Sequence, residues 1–130
     1  MKLLKFLTLG LLLISSTNVF GQKTSEEKAV AQTSKMKNEL GLSDEQTEKV
    51  KEINLGIIKK NENIKSNADL SETQKKEIIK TNNQARMSML KSVLTSEQYV
   101  KLELAIEKRK NDHLKKKMKD KRKEKKVKKD

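Results

Sequence analysis

The chain has one histidine, His113, and no cysteine, so few of its side chains could do acid–base or metal chemistry at neutral pH. A general acid or base needs a carboxylate or imidazole whose pKa apolar surroundings have moved toward neutrality. No carboxylate pair in this sequence is set among apolar residues; Glu26–Glu27 and Glu45–Glu48 read as solvated helix faces. His113 beside Asp112 supplies one imidazole and one carboxylate, short of the four ligands of a structural zinc site. Met87 and Met89, two residues apart, leave a helix on different faces. No catalytic residue, metal site or cofactor is expected, and the sequence points away from an enzyme.

What the sequence has in quantity is positive charge, and it is unevenly placed. Residues 22–107 carry 15 Lys and Arg against 14 Asp and Glu, a net of +1. Residues 108–130 carry 14 against 4, a net of +10. A block of like charge at one end of a chain is a place for contact with an anionic partner. Nucleic acid is not expected to be that partner, because no recognition motif and no aromatic stacking platform accompanies the lysines.

The elements that must carry these residues are punctuated by the sequence itself. Leu42-Ser43-Asp44-Glu45-Gln46, Leu70-Ser71-Glu72-Thr73-Gln74 and Leu94-Thr95-Ser96-Glu97-Gln98 repeat one pattern, 28 and 24 residues apart. Ser or Thr followed three residues later by Gln is a capping box. The hydroxyl accepts from the N3 backbone N–H, and the Gln side chain accepts from the N–H of the capping residue. Thr24-Ser25-Glu26-Glu27 is a fourth such box. The boxes predict four helices: Thr24 to about Leu40, about Asp44 to Ser66, about Glu72 to Val93, and Ser96 onward. Gly41 sits where a left-handed helix ending belongs.

Each predicted helix has an apolar face at i, i+3, i+4 and i+7 spacing. In the first it is Ala29, Val30, Thr33, Met36 and Leu40, and in the second Val50, Ile53, Ile57 and Ile64. In the third it is Ile78, Ile79, Asn82, Ala85, Met89 and Val93, and in the fourth Tyr99, Leu102 and Ile106, widened by Val100 and Leu104, with Leu114 and Met118 on the same stripe as Leu104. After Met118 only Val127 is apolar, and the final dozen residues are expected to fray. Long helices with short connections predict an all-α, open antiparallel hairpin array with a basic C-terminal extension.

Residues 1–21 read as a secretory signal peptide. Lys2 and Lys5 precede an apolar run from Phe6 to Ile14, and Gly21 offers a small residue before Gln22. The run is too short for a membrane anchor of roughly 20 residues. A periplasmic or secreted protein is expected, with a helical domain over residues 22–107 and a polybasic segment over 108–130. The domain has no Trp, no Phe and a single Tyr, so its core is poor. Small domains with poor cores are marginal alone, and a homodimer is expected.

On an exported, Lys-rich, all-helical chain, the boxes at Leu42 and Leu94 resemble the Leu-Thr-x-x-Gln motifs of the Spy/CpxP family of periplasmic proteins. The first is followed by Lys49-Val50-Lys51-Glu52-Ile53 and the second by Glu107-Lys108-Arg109, and the resemblance spans roughly residues 40–109. It implies a cradle-shaped antiparallel homodimer of four-helix subunits. Spy-type members are ATP-independent chaperones that hold unfolding clients on a basic, partly apolar face. CpxP-type members also damp an envelope-stress sensor kinase, and another branch senses metals through His and Met. This chain departs in having Ser43 for Thr, an extra box at Leu70, and a Lys tail in place of a Met/His-rich N-terminal segment.

The resemblance makes unfolded proteins the expected partners, with a sensor kinase or an anionic envelope surface as alternatives. Electrostatic encounter followed by apolar holding picks out Ile58, Lys59, Lys60, Met87, Leu90, Lys108, Arg109 and Lys110 as candidate client-binding residues. The box residues Leu42, Ser43, Gln46, Leu70, Ser71, Gln74, Leu94, Thr95 and Gln98 are expected to order helix starts, each cap being worth about 1 kcal/mol.

Overall fold

The computed structural model describes residues 21–127; of the expected signal segment, residues 1–21, all but Gly21 lies outside it. Four helices follow one another: α1 (Ser25–Leu40), α2 (Asp44–Ser66), α3 (Glu72–Val93) and α4 (Ser96–Val127). There is no strand among the described residues. Each helix begins at its predicted box. Thr24, Ser43 and Ser71 cap α1, α2 and α3 with both bonds of the box in place. Thr95 does the same for α4, accepting from Gln98 N (3.2 Å) and donating its own N–H to Gln98 Oε1 (3.0 Å). α1 ends at Gly41, whose φ of 66° is left-handed backbone that glycine adopts without a Cβ clash. There the Leu42 N–H reaches back to Lys37 O (3.2 Å), the six-to-one bond of a Schellman ending.

α2 is the central helix, packing along α1 on one side and α3 on the other, while α4 touches α1 and α3 less extensively. One core joins Met36, Leu40, Leu42, Val50, Leu90, Leu94 and Leu102, with Ile53, Met87, Val93, Tyr99 and Ile106 packed against it. The leucines that open the first and third boxes are therefore core residues. Leu70, which opens the second, is only half-buried at the far end of the α2–α3 hairpin.

Two sequence expectations need correction. Leu90, an expected client-binding residue, is 0% exposed in the centre of the core, whereas Met89, on the expected apolar face, is 39% exposed. The inward row of α3 runs Asn82, Arg86, Leu90, a strict i+4 series whose first two members are polar. Apolar periodicity alone follows Ala85 and Met89 instead, and so rotates the helix by one residue. The second correction concerns the end of the chain, where α4 continues to Val127 instead of fraying after Met118. Lys, Arg and Glu are good helix formers, and nothing between Ser96 and Val127 is Gly or Pro to stop the helix.

Candidate functional site

The first and third boxes meet. Gln46 and Gln98 exchange side-chain hydrogen bonds, Gln46 Nε2 to Gln98 Oε1 at 2.7 Å and Gln98 Nε2 to Gln46 Oε1 at 3.2 Å. Each amide also donates to the backbone carbonyl just before the other box: Gln46 to Val93 O (3.1 Å) and Gln98 to Gly41 O (3.3 Å). The α1–α2 and α3–α4 turns are thereby tied together by a nearly symmetric clasp. Every donor and acceptor site of both amides is used, counting the N–H groups of Ser43 and Thr95. The box around Gln74 has only its local capping bonds.

A polar cluster lies deeper, between α1, α2 and α3. Asn54 is 0% exposed. It donates to Thr33 Oγ1 (3.0 Å) and accepts from Arg86 Nε (2.8 Å). Arg86 Nη2 lies 3.4 Å from Met36 Sδ. The acceptors of the guanidinium are thus neutral, and among the described residues no carboxylate pairs with it. Burial, with Arg109 nearby, pulls the Arg86 pKa below its ordinary value. Periodicity picks out only Thr33 among the polar residues of this cluster; Asn54 and Arg86 lie outside the apolar stripes read from the sequence.

Arg86 also lines an open cleft of about 710 Å³ between α1, α3 and α4. Gln32 comes from α1; Lys76, Ile79, Lys80, Asn83, Gln84, Arg86 and Met87 come from α3; Ile106 and Lys110 come from α4. The α3 members are one helical face at i, i+3, i+4 and i+7 spacing. The lining holds four cations and no carboxylate. An adjoining cleft of about 310 Å³, sharing Met87, Ile106 and Lys110, is the one that faces Glu103 and Glu107.

The candidate client-binding residues are distributed rather than gathered. Met87 and Lys110 share the cationic cleft. Lys60 lines a groove on the α2–α3 surface with Ile53, Ile57 and Met89. Ile58 is half-buried, and Lys59 is paired with Glu26 at 2.8 Å. Arg109 holds Glu39 of α1 at 2.6 Å, fastening α4 to the body, and Lys108 is exposed. Sequence reasoning missed Lys76, Lys80 and Arg86; the i, i+4 spacing of the two lysines beside Ile79 was the available signal.

α4 has two apolar faces. Tyr99, Leu102 and Ile106 face the core, and Lys91 Nζ stands 5.5 Å from the centre of the Tyr99 ring. Val100 and Leu104 do not widen that face as expected: with Leu114 and Met118 they form a second stripe, turned away from it and 53–60% exposed. No described helix is long and apolar enough to cross a membrane. No group of three or more potential metal ligands occurs among the described residues.

A family model described as a domain of unknown function (DUF4890) matches residues 17–102, and the chain belongs to that family. No curated protein and no solved structure matches the chain.

Proposed function

We propose that this DUF4890 chain is an exported, ATP-independent holdase-type chaperone that binds unfolded or aggregation-prone envelope proteins. The observation that carries the reading is the outer stripe of α4. Leu104, Leu114 and Met118 are 60%, 55% and 56% exposed on the helix that also bears most of the net positive charge. Large apolar side chains in a row on a surface mark an interaction site, and the surrounding lysines raise the rate of encounter with acidic or disordered chains. The resemblance to Spy-type proteins in the boxes at Leu42 and Leu94 points the same way.

The test is suppression of aggregation. Purified residues 22–130 should lower the light scattering of a chemically denatured client at roughly stoichiometric amounts without ATP. Leu104→Ser, Leu114→Ser and Met118→Ser together should abolish that protection while leaving the core intact. Unchanged scattering at several-fold excess of the unaltered protein rules the reading out.

A second reading is attachment to an anionic envelope surface, favoured by α4 remaining helical through its lysine-rich end. Each Lys near such a surface contributes about 1 kcal/mol. Cosedimentation with anionic vesicles, lost when Lys115, Lys116, Lys117 and Lys119 are replaced by Gln while client protection persists, would assign the tail to the membrane.

A further inference from the structure

We propose that the cleft between α1, α3 and α4 binds a single-chain anionic amphiphile, with its carboxylate or phosphate head between Lys80 and Arg86, Lys76 adding charge one turn away, and its chain along Ile79, Met87 and Ile106. The charge of the cleft is uncompensated from within. Its lining contains no carboxylate, and among the described residues Lys76, Lys80 and Arg86 are in no ion pair. Neighbouring lysines behave differently, since Lys75 holds Glu72 and Lys59 holds Glu26. Arg86 is the informative group. Its guanidinium is drawn out of water by packing, and its hydrogen bonds go to an amide oxygen and a thioether, neither of which offsets a charge. A partly desolvated cation without a counter-ion is costly, and an anion entering the cleft supplies what the fold omits.

The apolar half of the site is equally specific. Met87 and Ile106 are the flank of the core itself, packed against its buried residues from α3 and α4. Ile79 stands one turn from Lys76 and beside Lys80, so charge and apolar surface alternate along one helix face. A bare inorganic anion would leave that floor wet, and a neutral apolar molecule would leave the cations unmatched. The volume of about 710 Å³ falls within the roughly 300–1,000 Å³ that small ligands occupy. The site is separate from the outer stripe of α4 that carries the proposed function, and only Met87 and Lys110 of the candidate client-binding residues line it.

The experiment is calorimetric titration of residues 22–130 with laurate and dodecyl phosphate below their micelle-forming concentrations. Dodecyl maltoside, inorganic phosphate and a hexaglutamate peptide are the comparisons. Laurate or dodecyl phosphate should bind at least tenfold more tightly than dodecyl maltoside or phosphate, and the tighter of the two identifies the head group. Lys76→Glu with Lys80→Glu, both on exposed side chains, should weaken that binding at least tenfold with an unchanged melting temperature. Equal binding of dodecyl maltoside, or undiminished affinity in K76E/K80E, overturns the proposal. Tighter binding of hexaglutamate than of laurate overturns it in favour of an acidic polypeptide segment.

Discussion

Gln46 and Gln98, 52 residues apart in sequence, hold one another through reciprocal amide bonds of 2.7 and 3.2 Å. Each is first a capping residue, accepting from the N–H at the start of its own helix. The second set of bonds needs donors, which only an amide has. At α1, whose box makes no such cross-bond, the same N3 position is filled by Glu27. Gln46→Glu keeps the cap and can still accept from Gln98 Nε2, but it removes the two bonds that Gln46 Nε2 donates, to Val93 O and Gln98 Oε1, and should destabilise the protein by about 1–3 kcal/mol. Gln74→Glu, which loses no cross-chain bond and adds a negative charge to a first turn, should stay within about 0.5 kcal/mol. Thermal melts followed by circular dichroism compare the two; equal losses would mean the clasp contributes nothing beyond capping.

Asn54 should be the polar residue least tolerant of change. Asn54→Leu fits its space approximately but leaves Thr33 Oγ1 without its donor and Arg86 Nε without its acceptor, both in the interior. Unsatisfied buried groups cost about 1–3 kcal/mol each, more for a charged one, so a loss of about 3 kcal/mol is expected. Arg86→Met in the same background should recover part of it by removing the stranded charge. A double-mutant cycle by urea unfolding measures the recovery, and strict additivity would show that Asn54 and Arg86 are not coupled.

Acid should loosen the α1–α2 pairing before the clasp. Glu62 of α2 accepts from Lys28 Nζ at 2.6 Å and from the Ser25 hydroxyl of α1. These bonds hold its pKa below the ordinary 4.5, with the Lys28 bond the largest cause and the Ser25 bond next. Glu26 is lowered likewise, chiefly by its bond to Lys59 across the same pair of helices. A carboxyl group whose folded pKa is depressed stabilises the fold fully above its unfolded value, and that contribution fades as pH falls through the folded one. Melting temperature should therefore hold above about pH 5 and decline below pH 4.5. Glu62→Gln should flatten the decline; an unchanged pH profile in that variant would remove Glu62 from the account.

Much of this fold was legible because its signals are local. A capping box depends on residues three apart, and every helix begins where its box predicts. Facing was harder. The apolar stripe of α1 placed Ala29, Thr33, Met36 and Leu40 correctly, but Val30 lies outside at 51% exposure. On α3 the polar pair Asn82 and Arg86 carries the inward row to Leu90, and their partners Asn61 and Asn54 on α2 are 21 and 32 residues away. Contacts at that range leave no periodic trace. The clasp was half visible, since the boxes at Leu42 and Leu94 stood out, but their pairing is a property of how the turns dock. The cationic cleft combines one face of α3 with two residues of α4, a juxtaposition that sequence spacing does not encode.

The exchange of roles between Leu90 and its neighbours on the surface is measurable. Leu90→Ala empties a fully buried position and should cost about 2–5 kcal/mol. Leu104→Ala, on the outer stripe of α4, should change stability by no more than about 0.5 kcal/mol while reducing client protection. The reverse pattern would place the binding surface on α3.

The lysine-rich end of α4 and its apolar stripe should act on different steps, and truncation cannot separate them because it removes both. Replacing Lys115, Lys116, Lys117 and Lys119 with Gln does separate them. Leu114 and Met118 remain, and Gln is a good enough helix former to keep α4 intact. If the charges steer, association with an acidic unfolded client should slow by about tenfold at low ionic strength, and the salt dependence of the rate should flatten. Dissociation should barely change, since the apolar residues proposed to hold the client are untouched. Leu104→Ser with Met118→Ser should do the opposite, leaving association near its original rate and speeding release. Stopped-flow measurements at two salt concentrations read both constants, and a lysine-to-glutamine variant that altered only dissociation would exclude electrostatic steering.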